Sequence, residues 1–168
     1  MIRIADYIKH WEGFRDKFYT CPAGKLTIGY GRNVQDNPFT EEEYKMLFPE
    51  LSILKAMIEI VKNGITESQA EKLLNIFIIE TTCDMMRNYT WYRNLSLYRR
   101  MVILDMIYNL GLGDFMRFKK MIKALEGRNY VNASNEIEDS RYYRQVGSRA
   151  KSNVHIMLHD DIPDYVSL

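Results

Sequence analysis

A chain of 168 residues with 23 Lys plus Arg against 22 Asp plus Glu carries a formal charge of +1, too balanced for a protein whose work is gripping a phosphate backbone. With 46% hydrophobic residues, nine Gly and two Cys, it is neither disordered, nor collagen-like, nor a disulfide scaffold. A chain this long buries roughly 70% of its unfolded surface, enough for one domain that can be built as two lobes.

Residues 1–10 alternate charged and apolar side chains, whereas a secretory signal needs an unbroken apolar run. The most apolar window, 73–79, is interrupted by Asn75 and followed by Glu80, well short of the ~20 residues of a membrane span. The expectations are no export by a signal, no membrane insertion, and Cys21 and Cys83 held as reduced thiols. Residues 3–12 predict a helix with Ile4, Ala5, Ile8 and Trp11 on one side. At about 100° per residue Glu12 falls in the same sector. Either a carboxyl ends an apolar stripe, or the helix simply finishes there and turns Glu12 to water.

The period then changes. Lys17–Cys21 and Lys25–Gly31 are β-type runs joined by the turn residues Pro22, Ala23 and Gly24, which predicts a hairpin. In the second strand Leu26, Ile28 and Tyr30 share one face, and Thr27, Gly29 and Gly31 the other. Two glycines on one face mark a bulge or a close approach to the backbone, unless they only relieve twist.

Thr40-Glu41-Glu42-Glu43 and Thr66-Glu67-Ser68-Gln69 fit the capping box and predict helix starts. Leu51, Leu54, Met57, Ile58 and Val61 form an apolar stripe closed by Lys62-Asn63-Gly64, the pattern of a helix packed on a core. Residues 66–88 predict the longest helix, a bridge between lobes. Further helices are expected at 95–110, 115–126, 130–138 and 147–158. The charged run Glu41–Lys45 reads as a solvated face, and Met85, Met86, Met101, Met106 and the scattered Tyr residues as core and half-buried surface. His10, His155 and His159 lack metal-ligand spacing with acids, and no cofactor is called for. The fold class is therefore α+β: a small lobe with the hairpin over about 13–65, the bridging helix over about 66–88, and a helical lobe of 1–12 plus about 78–168. A cleft between such lobes is a natural ligand site.

Glu12, Cys21 and Thr27 are nine and six positions apart. Glu, eight residues, Asp or Cys, five residues, Thr is the motif of the phage-type lysozymes, or endolysins, of glycoside hydrolase family 24. The chain resembles that family, and within it the T-even phage branch. Ile65-Thr66 with Ala70–Leu73, Ile107–Gly111, Phe118, and Ser140–Gln145 with Arg149-Ala150 match family landmarks in order. The resemblance implies a two-lobed lysozyme fold and hydrolysis of the β-1,4 bond between N-acetylmuramic acid and N-acetylglucosamine in peptidoglycan. It implies Glu12 as general acid, Cys21 and Thr27 as the water-handling pair, and Arg149 as the partner holding Glu12. Gly31, Tyr108 and Asn109 fall at positions that line the sugar cleft, although spacing alone also allows Asn109 to be a helix C-cap. It further implies a monomer that stays in the host cytoplasm until a separate membrane pore protein, a holin, gives it access to the wall. A lytic transglycosylase yielding an anhydro sugar and a silent wall-binding module are the alternatives; a nucleic-acid binder is a more distant one.

The residue types suit the chemistry. Glycoside cleavage needs a proton on the leaving oxygen, and burial against Ile8 and Trp11 would raise the pKa of Glu12 while Arg149 would lower it. Cys21 stands where Asp also occurs in the family. A thiol of ordinary pKa, about 8.5, is mostly neutral at pH 7, so Cys21 and Thr27 are expected to position water opposite Glu12 and give inversion, unless Cys21 is only a small filler beneath the turn. Arg32 stands where the T-even branch has His, and Tyr142 where it has Trp.

Overall fold

The computed structural model describes residues 3–166. The outermost residues of the expected helical lobe, 1, 2, 167 and 168, lie outside that range. The chain forms two compact units, one of Ile8–Phe77 and one of Met1–Tyr7 with Ile78–Leu168. The divisions fall inside two helices, α1 (Ile4–Glu12) and α4 (Glu67–Asn88).

In the unit Ile8–Phe77, β1 (Arg15–Thr20), β2 (Leu26–Gly29) and β3 (Arg32–Asn33) make an antiparallel sheet in sequence order. Tyr19 pairs with Thr27, Thr27 with Asn33, and the β1–β2 register shifts between Arg15 and Tyr19. The expected second strand ends early because Gly29 and Gly31 both adopt positive φ, +68° and +86°. Extended backbone cannot continue through that region, so the chain turns at Tyr30 and returns as β3, which periodicity did not foretell. Nor is the Gly29 face open. A Cβ there would lie 3.1 Å from that of Ala70 and 3.3 Å from Ile65 Cδ1, so the glycine admits the start of α4 against the sheet.

Both capping boxes form. The Glu43 amide donates to Thr40 Oγ1 while Glu43 accepts from the Thr40 amide, starting α2 (Glu41–Leu47). Gln69 and Thr66 do the same at the head of α4. Gln69 Nε2 also donates to the Leu47 carbonyl at 2.8 Å and so joins α4 to the end of α2. Between them lies α3 (Ile53–Asn63), closed by Gly64, and here the expected packing is reversed. Ala56 and Ile60 are buried, whereas Leu54, Met57, Ile58 and Val61 are exposed. A helical stripe fixes which residues share a face, not which face meets the core, and the small Ala56 lets the helix backbone sit close to its neighbours.

The second unit is helical: α5 (Thr90–Arg93), α6 (Leu97–Leu110), α7 (Leu112–Phe115), α8 (Lys119–Glu126), α9 (Tyr130–Glu138), α10 (Arg141–Val146) and α11 (Ser148–His159), together with the second half of α4. Every residue from Met101 to Ile107 is buried, which makes α6 the central helix, surrounded on all sides. α9 packs between α8 and α11. Met85, Met101 and Met106 are buried and Met86 half-buried, as expected, and Met121 and Met157 also fill this core. Gly111 with φ +80° is the C-cap of α6, so Asn109 is not.

Candidate active site

α1 ends on Glu12, and Gly13 at φ +66° turns the chain into β1. Ile8, one turn back, is fully buried, while Glu12 itself is half-buried. Its carboxyl lies directly on the turn between β2 and β3: a Cβ built on Gly31 would stand 2.6 Å from Glu12 Oε2. With that contact and a φ of +86°, only glycine fits. The two glycines that looked like a bare face thus have separate tasks, Gly29 toward α4 and Gly31 toward the carboxyl.

Cys21 follows β1 at the start of the Pro22-Ala23-Gly24 turn. Its amide donates to the Lys25 carbonyl at 2.9 Å, and the Thr27 hydroxyl donates to the same carbonyl at 3.0 Å. The Lys25 backbone hydrogen bond, with smaller contributions from the Ala23 amide and the Thr27 hydroxyl, favours ionised sulfur and outweighs a desolvation that opposes it. The thiol is therefore held below the ordinary cysteine range. Tyr19, cross-strand from Thr27, shows how these groups converge. Its phenol is pushed up by burial first, then by the negative charge of Glu12, with Arg15 opposing and Cys21 adding. One phenolic oxygen senses both the carboxyl and the sulfur. Thr27 is 2% exposed, so its hydroxyl works beneath the turn while the sulfur is partly accessible.

Since the thiolate is the nucleophile in alkylation, a lowered pKa makes Cys21 reactive at lower pH. In protein carrying Cys83→Ser, the iodoacetamide rate at Cys21 is expected to reach half its plateau at a lower pH than that of N-acetylcysteine in the same buffer. The same or a higher midpoint would remove the thiolate from the site.

The turn is braced from behind. Arg32 grips Glu43 with Nη1 to Oε1 at 2.5 Å and Nη2 to Oε2 at 2.9 Å, and its guanidinium lies 5.1 Å from the Phe39 ring centroid. Glu43 is only 6% exposed, which corrects the solvated reading of the 41–45 run at that one position. Tyr30, between the two glycines, donates to Glu67 Oε1 at 2.5 Å, and Lys9 reaches Glu71 Oε2 at 3.2 Å. The β2–β3 turn is in this way tied to the head of α4, and α1 to its second turn.

The other unit holds the remaining sequence-predicted residues. Asn109 is exposed and Tyr108 half-buried. Arg149, 6% exposed, places Nε 3.1 Å from both oxygens of Asp105 and Nη2 2.8 Å from Oδ1. Asn153 Nδ2 donates to Asp105 Oδ2 at 2.8 Å and to the Tyr142 hydroxyl at 2.9 Å, and the Tyr7 hydroxyl donates to Asn153 Oδ1 at 2.8 Å. Sequence reasoning missed Asp105, Asn153 and Tyr7. The available signal was one acid inside Met101-Val102-Ile103-Leu104-Asp105-Met106-Ile107, because a carboxylate in a buried run requires a cation or several donors. Among the described residues no three His, Cys, Asp or Glu side chains are arranged to hold a metal ion.

Comparison with known proteins places this geometry in context. Residues 9–154 match the family model described as Phage lysozyme. The chain is similar to two proteins of Dictyostelium discoideum named probable T4-type lysozyme 2 and probable T4-type lysozyme 1. The first is 24% identical over 96% of this chain and 97% of its own, the second 26% identical over 92% of each. It is also similar to an endolysin of Acyrthosiphon pisum secondary endosymbiont phage 1, 26% identical over 67% of this chain and 75% of that protein.

Proposed function

Because the chain belongs to the phage lysozyme family and is thus a lysozyme-type peptidoglycan hydrolase, we propose that it cleaves the β-1,4 bond between N-acetylmuramic acid and N-acetylglucosamine, with Glu12 as general acid. One observation carries this reading: the Glu12 carboxyl rests on Gly31 in the turn after β2, while Tyr19, paired across the sheet with Thr27, feels both the Glu12 and the Cys21 charges.

The chemistry then runs in one displacement. Glu12 gives its proton to the glycosidic oxygen as the bond to the anomeric carbon breaks, and positive charge develops on the sugar ring. A water on the opposite face, positioned by Cys21 and the Thr27 hydroxyl, adds its oxygen to that carbon. Its proton leaves to solvent, and Glu12 takes one back, so the acid is restored for the next cycle. The anomeric configuration inverts, because water enters on the face opposite the leaving oxygen. Arg149 supports the acid, and Tyr108, Asn109 and Gly31 serve the sugar; an exposed amide such as Asn109 can both donate to and accept from an N-acetyl group. In its setting the enzyme acts as a monomer, remains in the producing cell until a holin opens the membrane, and lyses the host.

The absence of a second carboxylate beside Glu12 in this motif favours one competing outcome, transglycosylation, in which the sugar's own hydroxyl replaces water. Product masses separate the two. Digests of purified peptidoglycan are expected to give hydrated reducing ends. Anhydro ends, lighter by one water, would overturn the hydrolytic mechanism, and uncut wall that still retains the protein would reduce it to a binding module.

A further inference from the structure

The reversed packing of α3 leaves a surface for which the cleavage reaction has no use. Leu54, Met57, Ile58 and Val61 recur at the i, i+3, i+4 and i+7 spacing of one helical face and are 68%, 45%, 46% and 72% exposed. Scattered apolar residues on a surface are ordinary, but a continuous stripe of four large ones marks an interaction site. Exposed Lys55 and Lys62 stand two turns apart along one edge of the stripe. The acid of the helix, Glu59, is turned farther round, half-buried, with Oε1 accepting from Asn63 Nδ2 at 2.7 Å.

We propose that α3 docks this protein on an anionic phospholipid surface, its four aliphatic side chains entering the acyl boundary and Lys55 and Lys62 reaching the headgroups. The pattern is that of an interfacial helix: an apolar face with lysines that bury their stems and keep their charge at the phosphate level. A second copy of the chain is the weaker occupant. Three turns of helix offer far less than the ~1,200 Å² of total buried surface at which stable dimers begin, and pairing two such faces brings four lysines together. A bilayer needs no complementary relief and supplies the opposite charge. Lying on the surface is the only mode open to the helices among the described residues, since none is long and apolar enough to cross a membrane. α3 lies outside the segments that carry Glu12, Cys21 and Thr27, so docking leaves the hydrolytic groups unaltered.

Co-sedimentation of the full chain with vesicles tests this. Wild-type protein is expected to partition onto vesicles of equal phosphatidylglycerol and phosphatidylcholine and to stay in solution with phosphatidylcholine alone. Leu54→Glu with Val61→Glu should lower partitioning at least about tenfold, and Lys55→Gln with Lys62→Gln by about tenfold. Both variants should retain wild-type melting and hydrolysis of soluble wall fragments, which sets a lost surface apart from a lost fold. Wild type that ignores anionic vesicles, or a Leu54→Glu/Val61→Glu variant that binds them equally, would overturn the proposal. So would a concentration-dependent dimer by ultracentrifugation that the aliphatic variant abolishes, because the stripe would then serve a second copy.

Discussion

Replacing Glu12 with Gln is expected to reduce peptidoglycan hydrolysis by about 10²–10⁴-fold, the usual worth of a positioned general acid. The amide matches the carboxyl in size and still accepts hydrogen bonds, but it has no proton to give to the leaving oxygen. The site tolerates this substitution sterically, because Gly31 leaves room for the side-chain oxygen and nothing larger is introduced. Melting should hold or rise slightly, since a half-buried acid kept for chemistry is commonly a cost to stability. Turnover is read as new reducing ends from purified wall, with the melting temperature recorded beside it. A variant that keeps more than about a tenth of wild-type turnover would remove Glu12 as the proton donor.

The largest loss of stability is expected from Asp105→Ala. Asp105 is fully buried and takes three of its hydrogen bonds from Arg149 and one from Asn153. Truncating it leaves a buried guanidinium without its bidentate carboxylate, which costs about 3–5 kcal/mol. Against a total stability of about 5–15 kcal/mol, that is a fall of about 10 °C in melting temperature for a chain of this size. Asp105→Asn keeps the shape and one acceptor oxygen and should fall between. Lys25–Asp36, a pair whose side chains are 38% and 51% exposed, is the internal comparison: breaking it should cost less than about 1 kcal/mol. If Asp105→Ala melts like the Asp36→Ala protein, the buried network does not hold the helical unit together.

The contrast between those two pairs marks where a sequence stops being informative. Lys25 and Asp36 are ordinary surface charges in any context, whereas Asp105 gains its weight from Arg149 and Asn153, forty-four and forty-eight positions away. Local chemistry carried the rest of that unit well. Thr66 announced the long helix, and Gly111 and Gly127 ended two more, because caps and breakers act within one turn of themselves. The short helices α5, α7 and α10 escaped notice, since four to six residues show too little of a 3.6-residue period to register.

The candidate site divides in the same way. Glu12, Cys21, Thr27 and the two glycines were legible from spacing, alternation and the family motif. That Gly31 rather than Gly29 faces the carboxyl, and that the Lys25 and Ala23 amides draw the Cys21 thiol toward its anion, required the turn to be folded. Periodicity and turn residues determined most helix and hairpin positions, because these depend on neighbours a few residues apart; composition set the charge balance, and the resemblance to the family pointed to the reactive groups. Only tertiary structure decided that the apolar side of α3 faces outward, that Glu43 is buried beneath Arg32, and that Asp105 holds Arg149. Burial and pairing across long sequence separation depend on which surfaces the remainder of the chain covers, and no local pattern records that.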